Sequence, residues 1–178
     1  PSEFDITPLL VKGKNQIAIQ VFRWHDGSYL EDQDFWRSSG IQRDVFIQAV
    51  PQTHLWDLAI TASLSDNYRR GQFNVTTTLA HIPKGADSAD IRLTLNTPAG
   101  DTIWQQEKSV VVKSEKTITT FSAEFVDIIP WSAESPTLYD LTIAVTTNGH
   151  TEYVHQPVGF RNVAISNGQL KVNGQPII

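Results

Sequence analysis

Between residues 52 and 156 apolar and polar side chains alternate with a period of two, segment after segment, and no other feature constrains the fold as tightly. Trp56, Leu58, Ile60, Ala62 and Leu64 interleave with Asp57, Ala59, Thr61 and Ser63. Successive side chains of an extended strand point to opposite faces, so this spacing sends one apolar face into a core. The same period recurs in Phe73, Val75, Thr77 and Leu79, and again in Ile91, Leu93 and Leu95. Further strands are expected around Ile103 and Trp104, then over 109–113, 117–126, 139–146 and 151–156. Pro98-Ala-Gly-Asp101 suits a hairpin connection, and Asn148-Gly149 is the strongest hairpin signal in the chain. The favoured two-residue turn needs positive φ at both positions, which Asn and Gly tolerate. Ser65 to Arg70 is polar and is expected to be a loop. About seven strands over about 105 residues predict an immunoglobulin-like β-sandwich. No segment carries a convincing helical period.

The flanks are less complete. Ile17, Ile19 and Val21 alternate with Gln16, Ala18 and Gln20, which predicts a half-buried strand over Gln16 to Phe22. A second is expected from Arg43 to Val50, ended by Pro51, with turns at Lys12 to Asn15 and at Asp26-Gly27. Two or three strands rarely make an independent sandwich, so this region should pack on a neighbour or leave strand edges exposed. After residue 157 come two more Asn-Gly turns, Asn167-Gly168 and Asn173-Gly174.

A chain of 178 residues can bury roughly 70% of its unfolded surface, enough for one large domain or two small ones. The formal net charge of −5 argues against a nucleic-acid partner, since phosphate binding needs a basic face. With no basic run and no apolar stretch approaching roughly 18 residues, no membrane partner is expected either. Zero cysteines remove disulfides, zinc–thiolate sites and cysteine nucleophiles, and leave cytoplasm and periplasm both open. Zero methionines, including at position 1, fit a piece excised from a longer protein. The five histidines are scattered without ligand spacing, no G-x-S-x-G motif surrounds a serine, and no glycine-rich phosphate loop occurs.

One stretch carries candidate chemistry. Asp26, Glu31, Asp32 and Asp34 lie close together and are followed at once by Phe35, Trp36 and Arg37. Carboxylates offer lone pairs to sugar hydroxyls or a hard cation, and aromatic faces stack on pyranose rings. Asp32 and Asp34, two apart, share a side of an extended segment and repel unless a cation or hydroxyls fill the gap. The competing reading is a solvated acidic turn with an aromatic anchor. Trp36, Phe35, Tyr29 and Trp24 offer a sugar platform or core packing, with Trp24 assigned to packing. Arg37, Arg43 and Asp44 are expected to fix the loop through ion pairs. Gly40 is expected to supply a backbone conformation that other residues adopt only at a cost.

The run EDQDFWRSSGIQRDV from Glu31 to Val45, preceded by RW-x-DGSYL, resembles the family 2 glycoside hydrolases and, among them, the bacterial β-galactosidases. PWSAESPTLYDL (Pro130 to Leu141), VGFRNVAISNGQLKVNGQPI (Val158 to Ile177) and the opening PSEFDITPLL agree in order. The resemblance implies an all-β fragment: residues 1–51 as the C-terminal part of a jelly-roll sugar-binding domain, 52–157 as an immunoglobulin-like sandwich, and 158–178 as the lead into a (β/α)8 barrel. It implies that Asp34 binds a sodium ion beside the galactose subsite and contacts sugar hydroxyls, with Trp36 at the pocket rim and Asp32 and Glu31 in support. Catalysis is retaining and is assigned to glutamates of the barrel, where magnesium also belongs, so no catalytic residue is expected here and this chain alone should be inactive. The implied partners are a β-galactoside and the enzyme's own barrel; a homo-oligomer is open, and the bacterial cytoplasm is the favoured compartment. Gly159, Phe160 and Arg161 are expected to seat the sandwich against the barrel, while Trp131 and Tyr139 anchor a corner. The segment Lys108 to Thr120 is short, which speaks against sharing of an active site between subunits. A β-glucuronidase or β-mannosidase, or a free-standing carbohydrate-binding module, remains the alternative.

Overall fold

A computed structural model describes residues 2–30, 38–65, 67–81 and 87–177. The chain divides into two units, Pro1–Gln48 and Ala49–Ile178.

In the second unit the period-two segments become seven antiparallel strands. They are β1 (Thr53–Ser65), β2 (Arg70–His81), β3 (Asp87–Asn96), β4 (Thr102–Val112), β5 (Lys116–Val126), β6 (Tyr139–Thr147) and β7 (His150–Val158). One sheet has the order β1-β2-β5 and the other β4-β3-β6-β7. The segments expected near residues 103 and 109 form one continuous strand, β4. Phe73, Val75, Leu79 and Phe121 from the first sheet meet Ile91, Leu93, Leu141 and Ile143 from the second, all essentially without exposure. Phe73, Val75, Leu79, Ile91 and Leu93 sit on the parity that their alternation dictated. Asn148 and Gly149 have φ of 50° and 79°, the turn that closes β6 on β7. No helix among the described residues is long and apolar enough to cross a membrane.

Near its two ends the free edge of β1 is bonded by side chains, and at Ala62 by the Arg161 N–H, rather than by another strand. The Leu55 N–H donates to Glu152 Oε2 at 3.0 Å, and the Leu64 N–H donates to Asn162 Oδ1 at 2.8 Å. Asn162 Nδ2 returns a hydrogen bond to the Leu64 carbonyl at 2.7 Å, so one amide imitates a strand partner. Unpaired edges invite association with other chains, and these bonds satisfy the Leu55 N–H and both backbone groups of Leu64. Asn162→Ala is expected to destabilise the sandwich by about 1–3 kcal/mol, because two part-buried backbone groups lose their partner. The shift of the urea midpoint at constant m-value measures it.

Past β7 a small meander follows: β8 (Val163–Ser166), β9 (Gln169–Val172) and β10 (Gln175–Pro176). The two Asn-Gly turns have positive φ at Asn167, Gly168, Asn173 and Gly174, as their sequence requires. Asn173 fastens the meander to the sandwich. Its Oδ1 accepts the Asn162 N–H at 2.9 Å, and its Nδ2 donates to the Trp131 carbonyl at 3.0 Å. Tyr139 is buried and its hydroxyl accepts the Ile129 N–H at 3.0 Å, which makes the corner as expected, with Trp131 half-buried beside it. The reading of Phe160 needs correction. It does not stand ready for a further domain; its ring is 0% exposed inside the sandwich, because the chain leaving β7 turns back across the open end of the core.

The first unit, taken by itself, holds a 3-10 turn at Thr7–Leu9 and a four-residue helix, α1 (Gly27–Leu30). The Lys12 to Asn15 turn forms as expected, with Asn15 accepting the Val11 N–H and donating to the Val11 carbonyl. Hydrogen bonds from Thr7 hold the Asp5 carboxyl below the ordinary carboxylate range. The strands expected over Gln16 to Phe22 and Arg43 to Val50 do not form: among the described residues of this unit no strand occurs, and Ile17, Ile19 and Val21 are all about half exposed. Alternation states which face a strand would bury, but a strand exists only when a neighbour takes its N–H and C=O groups. Within this unit the described residues supply none.

Candidate functional site

The acid–aromatic stretch is entered through a tightly bonded turn. The Ser28 N–H donates to the His25 carbonyl at 2.9 Å, and the Tyr29 and Leu30 N–H groups both donate to the Asp26 carbonyl at 3.0 Å. His25 Nδ1 accepts the Gly27 N–H at 3.1 Å. The Asp26-Gly27 turn therefore starts α1. This helix delivers Tyr29 and Leu30 to its end strongly exposed.

Asp34 and Trp36, together with Glu31, Asp32, Phe35 and Arg37, lie outside the described residues. Beyond them Gly40 has φ of 102°, the left-handed conformation expected of it. Arg43 and Asp44 are exposed and join no ion pair among the described residues, and Arg37, the third member of the expected clamp, lies outside them. Trp24 also departs from expectation. It is half exposed, with the Arg23 guanidinium 5.4 Å from its ring centre, since no described core in this unit receives it. Among the described residues no group of three or more histidines and carboxylates is placed to hold a metal ion.

In the sandwich, an aromatic residue assigned to the core stands in solvent. Strict alternation places Trp56 inward with Leu58 and Ile60, yet it is 56% exposed. The pairing register slips between Leu55 and Asp57. An extra residue in one strand opposes a single partner, so the parity before the bulge differs from the parity after it. The Lys116 ammonium lies 5.4 Å from the Trp56 ring centre and the His54 ring meets it edge-on at 6.2 Å. The adjacent pair Leu55-Trp56, both apolar where alternation allows only one, is the signal that could have revealed it.

Comparison with known proteins places these features among relatives. Residues 1–51 match the family model described as "Glycosyl hydrolases family 2, sugar binding domain" and residues 53–161 match "Glycosyl hydrolases family 2". The chain is 38% identical over 180 residues to a β-galactosidase of Lactobacillus delbrueckii subsp. bulgaricus, covering 100% of this chain and 17% of that protein. It is 35% identical over 183 residues to a β-galactosidase of Priestia megaterium, covering 100% of this chain and 18% of that protein. The chain thus spans less than a fifth of the length of either. Among solved structures, a β-glucuronidase of Parabacteroides merdae superposes with a TM-score of 0.63 at 18% identity, over 72% of this chain and 16% of that one. A family 2 glycosyl hydrolase of Bacteroides cellulosilyticus superposes with a TM-score of 0.61 at 20% identity, over 70% of this chain and 18% of that one. At such identities the superpositions establish the fold alone.

Proposed function

The chain belongs to glycosyl hydrolases family 2, and from that premise we propose that it is the non-catalytic part of a β-galactosidase that braces the catalytic barrel and lends Asp34 to the galactose subsite. The observation that carries this reading is the match to β-galactosidases along the whole chain at 35% and 38% identity. Retaining glycoside hydrolysis needs a carboxylic acid and a carboxylate nucleophile about 5–5.5 Å apart across the glycosidic bond. Neither role is assigned to an acid of this chain.

Asp34 offers a hard anionic oxygen, the donor type that suits a sodium ion, and a carboxylate of this kind also accepts hydrogen bonds from sugar hydroxyls. One carboxylate fills only part of an ion's coordination, so the remaining oxygens must come from other segments of the enzyme. A sodium ion held there would balance the negative charge that Asp32 and Asp34, two apart in sequence, both carry. Trp36, two residues on, supplies an aromatic face for stacking on the sugar ring. Magnesium has no assigned ligand in this chain and belongs with the barrel.

The test is made in the full-length enzyme. Asp34→Asn is expected to lower kcat/KM for a nitrophenyl β-galactoside by about 10–100-fold and to abolish its sodium dependence. Unchanged kcat/KM and unchanged sodium dependence would remove Asp34 from the site. The same assay with a nitrophenyl β-glucuronide should give little turnover; a preference for the glucuronide would overturn the galactosidase assignment. The 178-residue chain alone should hydrolyse neither substrate.

A further inference from the structure

Asn148-Gly149, Asn167-Gly168 and Asn173-Gly174 all reverse the chain, and asparagine before glycine is also a chemically reactive pair. The backbone nitrogen that follows the asparagine can attack its side-chain amide, and glycine, lacking a Cβ, leaves that approach open. The three turns share one backbone. Their φ values are 50°, 53° and 48° at the asparagines and 79°, 71° and 78° at the glycines. Each closes a two-residue hairpin, with Thr147 paired to His150, Ser166 to Gln169 and Val172 to Gln175. Dipeptide and turn being alike, a difference in reactivity in the folded chain must come from the surroundings.

Those surroundings differ. The Asn173 side chain is bonded at both ends, to the Asn162 N–H at 2.9 Å and to the Trp131 carbonyl at 3.0 Å, and both bonds are part-buried. Tyr68 lies so close over Gly174 that a Cβ there would stand 2.8 Å from its hydroxyl. Asn148 Nδ2 donates to Asp87 Oδ2 at 3.3 Å. Its turn joins two strands of the core sheet, and Thr147 beside it is buried. The Asn167 side chain, by contrast, makes no hydrogen bond among the described residues. All four residues of β8 are exposed, as are Gln169 and Leu170 of β9. Attack requires the asparagine to rotate out of the turn until its Cγ faces the glycine nitrogen. A short hairpin with little burial opens at small cost, whereas a turn held by side-chain bonds or by core strands must first give those up.

We propose that Asn167 is the site at which this chain deamidates spontaneously, while the fold protects Asn148 and Asn173. Hydroxide takes the Gly168 amide proton, and the nitrogen forms a bond to Asn167 Cγ. The Cγ–Nδ2 bond then breaks, and the leaving nitrogen takes a proton from water to depart as ammonia, which restores the hydroxide. Water opens the resulting succinimide, at Cγ to give aspartate or at the backbone carbonyl to give isoaspartate. Either product adds a negative charge at an exposed tip. Isoaspartate also lengthens the backbone between Ser166 and Gln169, so their pairing is lost. The bonds between Asn162 and Asn173 are untouched, and the sandwich keeps its stability.

The test holds the folded 178-residue chain at mildly alkaline pH and follows each asparagine by peptide mapping and mass spectrometry. Asn167 should convert at least about tenfold faster than Asn173, which must break two hydrogen bonds, and about threefold or more faster than Asn148, which must break one. In concentrated urea, where the fold is gone, the three rates should converge to within about threefold. Asn167→Gln should remove the principal acidic species while leaving the far-ultraviolet dichroism unchanged. Chain converted at Asn167 should keep the urea midpoint of unconverted chain. Conversion of Asn148 or Asn173 as fast as that of Asn167 in the folded chain would overturn the proposal. So would a rate order that persists undiminished in urea, or an acidic species that survives Asn167→Gln.

Discussion

Replacing Phe160 with alanine is expected to cost the sandwich about 3–5 kcal/mol, the range for emptying a fully buried phenylalanine site. The residue lies outside the seven strands, yet its ring fills the end of their core. Its centre is 5.4 Å from that of Tyr139 and 5.9 Å from Phe125, both edge-on, and 5.9 Å from Phe73, tilted. Its carbonyl accepts the Trp131 N–H at 2.9 Å, so the ring is held by backbone as well as by packing. Domains are commonly stable by only about 5–15 kcal/mol, so the loss removes roughly a fifth or more of the total. The urea midpoint should fall steeply with little change in m-value, and Phe160→Leu should recover most of the loss. A midpoint shift worth less than about 1 kcal/mol would show that the neighbouring rings close the gap, and would remove Phe160 from the core's principal supports.

Gly71→Val should destabilise nearly as much, about 3 kcal/mol, for the opposite reason. A Cβ on Gly71 would stand 2.7 Å from Ile128 Cγ1 and 3.0 Å from Phe160 Cε1. Both neighbours are buried, so neither can swing into solvent to make room. The prediction has an internal control. In Gly71→Val/Ile128→Ala the valine occupies the space that the isoleucine leaves, and the pair should be coupled by more than about 1 kcal/mol. Simple addition of the two single-mutant losses would show that the glycine serves backbone freedom rather than the close approach of β2 to Ile128 and Phe160.

The strands of the sandwich were legible because burial on one face of a sheet imposes a period on sequence. Phe73, Val75 and Leu79 could be assigned inward without knowledge of their partners. The Asn-Gly pairs were equally legible, since their turn conformation is a local property of two residues. Trp56 was not. Parity is reliable only while the register is unbroken, and a bulge depends on how two strands fit each other. Nor was Phe160, whose place in the core depends on the direction the chain takes after β7. The acid–aromatic stretch stands out through its residue types, but the roles proposed for Asp34 and Trp36 call on groups far away in sequence, beyond what residue types and spacing convey.

By itself, then, the sequence determined which faces are apolar, where the chain reverses, and which family it joins. Tertiary structure alone decided that Trp56 faces water, that Phe160 closes the core, and that Gln16 to Phe22 forms no strand with the other described residues. The physical reason is the range of the interactions. Side-chain parity and turn conformation are settled within a few residues, whereas register, edge pairing and ring packing are settled between segments that meet only when the chain has folded.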